Sequence, residues 1–321
     1  MPDRFDGELP KVLVIHNRYQ QAGGEDAVFA NEVALLRSSG SETETLTADN
    51  DDIQGALAKA AAALRVIHNP AGRAAVAEAI ARFRPDVVHV HNFFPKLSPA
   101  VFDACADSGV PVVWTLHNFR LACANGLLFR DGRPCEDCVG RAPISAVLHR
   151  CYRGSLAGSA AVAGMIGFHN MRGTWQRKVT RFIVLSDFAR ALVTRAGVPA
   201  ERISVKPNFI FDPLSGIDPG PPQRGGAVFV GRLSAEKGAT VMIEAWRKLP
   251  NIPLTLLGDG PERAALEAAA PANVRFLGFQ QRAEVMAAVQ SAQAIVVPST
   301  CYENFPLAVV EAMALGTPVI A

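Results

Sequence analysis

Two carboxylates, Glu303 and Glu311, bracket the segment Asn304-Phe305-Pro306-Leu307-Ala308-Val309-Val310, and the second falls among residues that are otherwise Leu, Ala, Val and Met. Pro306 suits a first helical position and Gly316 a stop, so the pattern predicts a short helix over 306–315. A helix that is apolar all round is a buried one. An ionised carboxylate there costs on the order of several kcal/mol unless something satisfies it, so Glu311 is expected either to face a polar ligand or to pair with a basic residue elsewhere in the chain. Glu303 lies just ahead of the same helix, whose free backbone amides and positive dipole end suit an anion such as a diphosphate. Together they describe a pocket for a hydroxyl-rich, phosphorylated ligand.

These residues need a scaffold, and the chain supplies short β-branched runs alternating with Ala-rich helical stretches, the signature of an α/β fold. In the first half, strands are expected over Lys11–His16, Glu42–Thr47, Asp86–His91, Val110–His117 and Arg181–Leu185. Helices are expected over Glu25–Ser38, Gly72–Phe83, Pro99–Ser108 and Ser186–Ala196. The stretch from Asp212 to Pro222 is too rich in Pro and Gly to be an element and reads as a linker. A second strand series follows at Ala227–Val230, Leu254–Leu257, Val274–Leu277, Ala294–Val297 and Pro318–Ala321. The predicted division is a first domain over 1–206, a linker over 207–225 and a second domain over 226–321. Doubly wound parallel sheets bind ligands beyond the carboxyl ends of their strands, so the residues just after each strand matter most.

In the second half those positions are specific. The strand ending at Val230 runs into Gly231-Arg232-Leu233-Ser234-Ala235-Glu236-Lys237-Gly238. Arg232 offers a planar fork and Lys237 a mobile point charge, a common pairing around phosphate oxygens. The next strand ends in Gly258-Asp259-Gly260, a tight turn that lets backbone approach a ligand. The third ends at Gly278-Phe279, where a missing side chain would admit a flat nucleobase.

This ordered set, closing on the two glutamates and Gly316-Thr317-Pro318-Val319-Ile320-Ala321, resembles the nucleotide-sugar domain of family 4 retaining glycosyltransferases. The resemblance extends over nearly the whole chain and implies the GT-B fold, two Rossmann-like α/β domains facing across a cleft. It implies a donor that is a nucleotide-diphosphate sugar, with Arg232 and Lys237 on the diphosphate, Glu311 on the ribose and Glu303 on the sugar. The segment Asn304, Phe305, Pro306 and Leu307 would line sugar and phosphate, with the backbone amides of its non-proline residues as donors. In the first half it assigns Gly23 and Gly24 to a glycine loop near the diphosphate and His117 to the sugar, with Ser186 and Asn208 also fitting. Around the crossover, Asn208-Phe209-Ile210-Phe211-Asp212 departs from the family spacing and leaves Asp212 without a role. In the family a further strand and several helices follow the strand at Pro318–Ala321, so the second domain is expected to be incomplete and its last strand an exposed edge.

A retaining transfer needs no protein nucleophile if attack and departure share a face, and the departing phosphate oxygen then takes the acceptor's proton. The catalytic task becomes charge stabilisation on the leaving diphosphate by Arg232, Lys237 and helix amides. No catalytic metal is expected. The acceptor would be a glycan, a lipid-linked molecule or a small molecule, in cell-surface polysaccharide or glycoconjugate synthesis. A nucleotide-sugar epimerase or hydrolase on the same scaffold, and a non-catalytic nucleotide-sugar-binding fragment, remain as alternatives.

Of the other histidines, His16, His89 and His91 also fall at strand ends, where polar caps commonly satisfy loop backbone, and they read as structural. Four cysteines, Cys123, Cys135, Cys138 and Cys151, cluster in an insertion over 118–155 and hold one CxxC pair; both a tetrahedral structural zinc site and plain buried thiols are consistent with them. Across 321 residues, 32 basic side chains nearly balance 30 acidic ones, so nothing calls for nucleic acid. The polar, acidic start from Met1 to Pro10 has no signal-peptide core, which predicts a cytoplasmic protein. The weakly polar run from Leu156 to Phe168 is too short to span a bilayer and reads as a buried helix. An interfacial role at the inner face of the membrane stays open for it, because Arg172, Arg177, Lys178 and Arg181 follow.

Overall fold

The computed structural model describes residues 9–19, 23–51, 53, 55–215 and 224–321. The acidic start over 1–8 and the linker residues 216–223 lie outside these. The chain divides into two compact units, one formed by residues 1–127 with 136–207 and the other by 128–135 with 208–321.

The first unit holds strands β1 (Val12–Arg18), β2 (Thr43–Asp49), β3 (Val87–Asn92) and β4 (Val112–Thr115). After the small hairpin β5 (Phe129–Arg130) and β6 (Arg133–Pro134) of the second unit come β7 (Arg181–Val184) and β8 (Ile203–Val205). Its six strands are ordered β2-β1-β3-β4-β7-β8 and run parallel throughout. The helices between them are α1 (Gly24–Ser38), α2 (Gly55–Arg65), α3 (Pro70–Phe83), α4 (Ala100–Asp107), α5 (Ile144–Leu148), α6 (Leu156–Met171), α7 (Thr174–Lys178) and α8 (Asp187–Arg195). Val12, Leu13, Val14 and Ile15 are all buried, as in a central parallel strand covered on both faces. An aromatic cluster of Phe93, Phe102, Trp114, Trp175 and Phe182 fills one side, with Trp114 and Trp175 ring centroids 5.2 Å apart.

At the carboxyl end of β1, Asn17 ties three loops together. Its Nδ2 donates to Asn50 Oδ1 at 2.9 Å, its Oδ1 accepts from the Lys96 amide at 2.9 Å, and its carbonyl accepts from Asn92 Nδ2 at 2.7 Å.

The second unit carries β9 (Ala227–Val230), β10 (Leu254–Leu257), β11 (Val274–Gly278), β12 (Ala294–Val296) and β13 (Val319–Ile320), ordered β11-β10-β9-β12-β13 and again parallel. Its helices are α9 (Ala239–Trp246), α10 (Arg263–Ala269), α11 (Arg282–Ser291) and α12 (Leu307–Ala314). Phe229, Leu233, Met242, Ile243, Trp246, Leu254 and Leu256 form its core on one side of the sheet.

Three expectations change here. Pro306 is extended (ψ 121°) and caps α12 instead of opening it, so the helix starts at Leu307. The helix also packs on α11 and β13 through one face, so among its residues Glu311 and Ala312 are buried while Met313 is 70% exposed. Likewise α6 is not buried all round, since its face away from the unit's core is open to solvent.

Candidate functional site

In the first unit the ends of β1, β3 and β4 gather histidines. His91 Nδ1 meets His117 Nε2 at 2.9 Å with the rings stacked 5.1 Å apart, and His89 Nε2 meets Thr115 Oγ1 at 2.8 Å. His16 stacks on Phe29 at 4.6 Å and bonds Asp26 Oδ1 at 2.8 Å. Burial, reinforced by neighbouring histidines, pushes the His117 imidazole down to about 3 and holds His91 well below its ordinary value. Burial likewise lowers His89 to about 4. His89, His91 and His117 are therefore neutral at physiological pH, and in a neutral pair one ring donates and the other accepts. With its Nε2 engaged by His91, His117 has Nδ1 left for a ligand. His91 Nε2 is buried without a partner, beside a small cavity lined by His91, Thr115, His117, Asn118 and Arg120.

Beside this cluster, Glu25 at the start of α1 accepts from Tyr19 Oη at 3.1 Å, with Asn118 Nδ2 3.4 Å from the same oxygen. Burial pushes the Glu25 carboxyl up to about 8, against the lowering effect of the Tyr19 hydrogen bond, so it carries a proton at neutral pH. Burial also tends to raise Asp26, but hydrogen bonds from His16 and the Gly23 amide win and hold it below the usual carboxylate range. Gly23 precedes α1 in extended backbone, and a Cβ built there would meet nothing within 4 Å.

In the second unit the predicted residues cluster after β9 and β12. Lys237 Nζ lies 2.5 Å from Glu303 Oε1, which also accepts from Ser299 Oγ at 2.6 Å. The Thr300 amide bonds the Glu236 carbonyl at 3.0 Å and locks the two loops together. The Gly258 backbone is left-handed (φ 137°), and a Cβ there would sit 1.9 Å from the Gly231 carbonyl oxygen. Asn208 Nδ2 donates to the Phe305 carbonyl at 3.0 Å, holding the loop that enters α12. Phe279 follows β11 with its ring 69% exposed, available to a flat partner.

Glu311 is buried and pairs with Arg282 Nη1 at 3.1 Å, so the basic residue left open by sequence is Arg282 on α11. Burial raises its carboxyl above the ordinary value, and Arg282 only partly offsets this. Ser186 caps α8, accepting from the Ala189 amide at 3.2 Å. Asp212 accepts from the Leu214 amide at 2.9 Å, a local turn that gives it a structural task.

The four-thiolate zinc site is not assembled. Among the described residues no three His, Cys, Asp or Glu side chains converge on a point that could hold a metal, and Cys123 instead donates to Asn125 Oδ1 at 2.9 Å. None of the six cysteines forms a disulfide. Sequence reasoning read His91 as structural and missed Tyr19, Glu25 and Arg282. Only the Gly-Gly-Glu order at 23–25 hinted at one of them, because the others reach their places through long-range packing.

Residues 23–208 match the family described as glycosyl transferase 4-like domain, and residues 221–321 match glycosyl transferases group 1. The phosphatidyl-myo-inositol mannosyltransferase of Mycobacterium leprae is 30% identical over 193 residues, which are 57% of this chain and 50% of that protein. The chain thus spans about half the length of that curated relative. Among solved structures, Anabaena Alr3699/HepE in complex with UDP and glucose superposes with a TM-score of 0.62 at 18% identity, covering 98% of this chain and 80% of the other. Sucrose-phosphate synthase from Thermosynechococcus elongatus superposes with a TM-score of 0.66 at 17% identity, covering 97% and 80%. The two parallel-sheet units are those of GT-B glycosyltransferases. No helix among the described residues is long and apolar enough to cross a membrane.

Proposed function

The chain belongs to the glycosyl transferase 4-like family, and from that premise we propose that it moves a sugar from a nucleotide-diphosphate donor to a hydroxyl-bearing acceptor with retained configuration. The acceptor class this reading favours is a glycan or a lipid-linked molecule. The observation that carries the proposal is the Lys237–Glu303 pair, set between the loops after β9 and β12. An ammonium has three protons to give, so Lys237 can keep Glu303 and still bond a phosphate oxygen, while Glu303 accepts from sugar hydroxyls. Arg232 adds a second cation. The amides ahead of α12, from Asn304 to Leu307, and the positive end of that helix receive the remaining anionic oxygens. Phe279 offers the base a flat surface beside Gly278, where the Arg263 guanidinium fills the space a side chain would take, and Glu311, kept in place by Arg282, takes the ribose hydroxyls.

In the step itself the bond from the anomeric carbon to the phosphate oxygen breaks and one to the acceptor oxygen forms. The acceptor's proton passes to the departing phosphate oxygen. Charge grows on the diphosphate, which is where Arg232 and Lys237 act. On the sugar side His117 presents a neutral ring whose orientation His91 fixes, and Gly23 and Gly24 leave room for the donor to approach.

Thermal unfolding in the presence of UDP, GDP and ADP sugars tests the donor, because a ligand at about 100 times its Kd adds roughly 2.7 kcal/mol of stability. Binding by wild type that Lys237→Ala weakens supports the reading, and nucleotide release that needs an acceptor separates transfer from hydrolysis. If no nucleotide sugar binds, the reading fails.

A further inference from the structure

Helix α6 breaks the rule that a surface helix turns its polar side to water. Its five exposed residues are Leu156, Ala157, Ala160, Phe168 and Met171, none with a polar side-chain atom, and Met171 is 85% exposed. The opposite face buries Ser159, Val162, Ala163, Met165, Ile166 and His169. Helix α5 packs against α6, with Pro143 Cδ 3.8 Å from where a Gly167 Cβ would lie, so the start of α5 sits beside the end of α6. Its own Ile144 and Leu148, one helical turn apart, are 64% and 73% exposed. The open apolar surface therefore spans both helices.

The charge around it is mainly positive, although Asp137 Oδ2 accepts from Ser145 Oγ on α5 at 3.1 Å. From Cys138 to Ser186 the sequence contains no Asp or Glu. Lys178 pairs with Asp103, and Arg181 donates to the Glu201 carbonyl at 3.0 Å. Arg141, Arg150, Arg153, Arg172 and Arg177 are exposed, and among the described residues none pairs with a carboxylate. Arg172 instead lies 5.5 Å from the Phe168 ring and Arg153 lies 5.6 Å from the Tyr152 ring, at opposite ends of α6.

We propose that the α5–α6 surface docks on an anionic lipid bilayer, the apolar residues entering the headgroup boundary and the five arginines meeting lipid phosphates. An apolar face rimmed by unpaired cations is complementary to that surface on both counts. A second copy of the chain fits poorly, because a two-fold contact would bring together two copies of the same arginine-rich, carboxylate-poor face. The inference is independent of donor chemistry and goes beyond it by fixing where the acceptor side works.

The test is co-sedimentation of the chain with vesicles of phosphatidylcholine alone or with about a third phosphatidylglycerol, at low and high salt. Binding should require the anionic lipid and fall with salt over the range where surface charges become screened. Leu148→Glu with Met171→Glu should abolish it, while Arg150→Gln and Arg172→Gln should each lower the partition about 5-fold. These positions are exposed, so circular dichroism should report wild-type folding, and nucleotide titration should be unchanged in all of them. Equal binding to both vesicles, no binding to either, or a dimer in sedimentation velocity that Met171→Glu dissociates would each overturn the proposal.

Discussion

The two units place polar chemistry at the carboxyl ends of parallel strands by opposite means. In the first, histidines are stripped of charge: burial holds His89, His91 and His117 neutral, and each bonds a hydroxyl or another ring through one nitrogen. Even the carboxyl of Glu25 keeps its proton. In the second, charges are retained and paired, Lys237 with Glu303 and Arg282 with Glu311. A neutral site can hold a sugar by hydrogen bonds that water once made, whereas a paired-charge site suits a diphosphate because its cation is already positioned. Under the proposed transfer, leaving-group chemistry would fall to the second unit and orientation to the first.

The harshest way to break this contrast is Gly258→Ala, which forces a Cβ onto the Gly231 carbonyl at a left-handed backbone position. We expect a loss of roughly 4 kcal/mol or more, read by chemical denaturation of the second unit. Lys237→Ala should leave folding intact and lower turnover about 10²–10³-fold, as removal of one charge-stabilising donor does. Wild-type turnover in that variant would end the assignment of leaving-group chemistry.

The neutral unit should show itself in pH. His89 has a folded value near 4, below its unfolded value, so the unfolded state takes up more protons on acidification. Its contribution is present above about 6.5 and is lost as pH falls, costing about 2 kcal/mol by pH 5. Glu25 runs the other way, because its folded value is raised. Its contribution is full below about 4.3 and disappears as pH rises through 8. Melting curves of His89→Phe and Glu25→Gln against pH should flatten the acid and alkaline limbs respectively. Glu311→Gln should weaken nucleotide binding about tenfold by calorimetry, near 1.4 kcal/mol. The mildest change, Gly23→Ala, should leave stability within about 0.5 kcal/mol, since the space is open and the backbone extended. A fall in donor affinity there reports ligand contact alone.

Much of the scaffold was legible because parallel strands buried on both faces write themselves as apolar runs. Ala227–Val230 and Leu254–Leu257 were read to the residue. Helix α2, strand β8 and the β5–β6 hairpin were not, as α2 lacks a cap signal and the strands are too short for a period to form. The site was legible where chemistry and glycine share one loop, as in Gly231 to Gly238. It was illegible where partners lie far apart in sequence: Arg282 reaches Glu311, and His91 meets His117, only after the sheet is built. For the cysteines, spacing alone does not say whether thiols converge, and among the described residues no three metal-ligating side chains do.

Asn17 has a thermodynamic meaning for whatever the first unit binds. One amide side chain joins the loops after β1, β2 and β3, so these segments cannot loosen one at a time without leaving a buried donor or acceptor unpaired. Their amides should exchange with solvent together, as one cooperative opening, and not loop by loop. A ligand meeting these loops finds them already ordered and gives up little of the chain's conformational freedom. Its binding to this side should carry a small entropic penalty, and Asn17→Ala should enlarge that penalty while the contacts themselves stay the same.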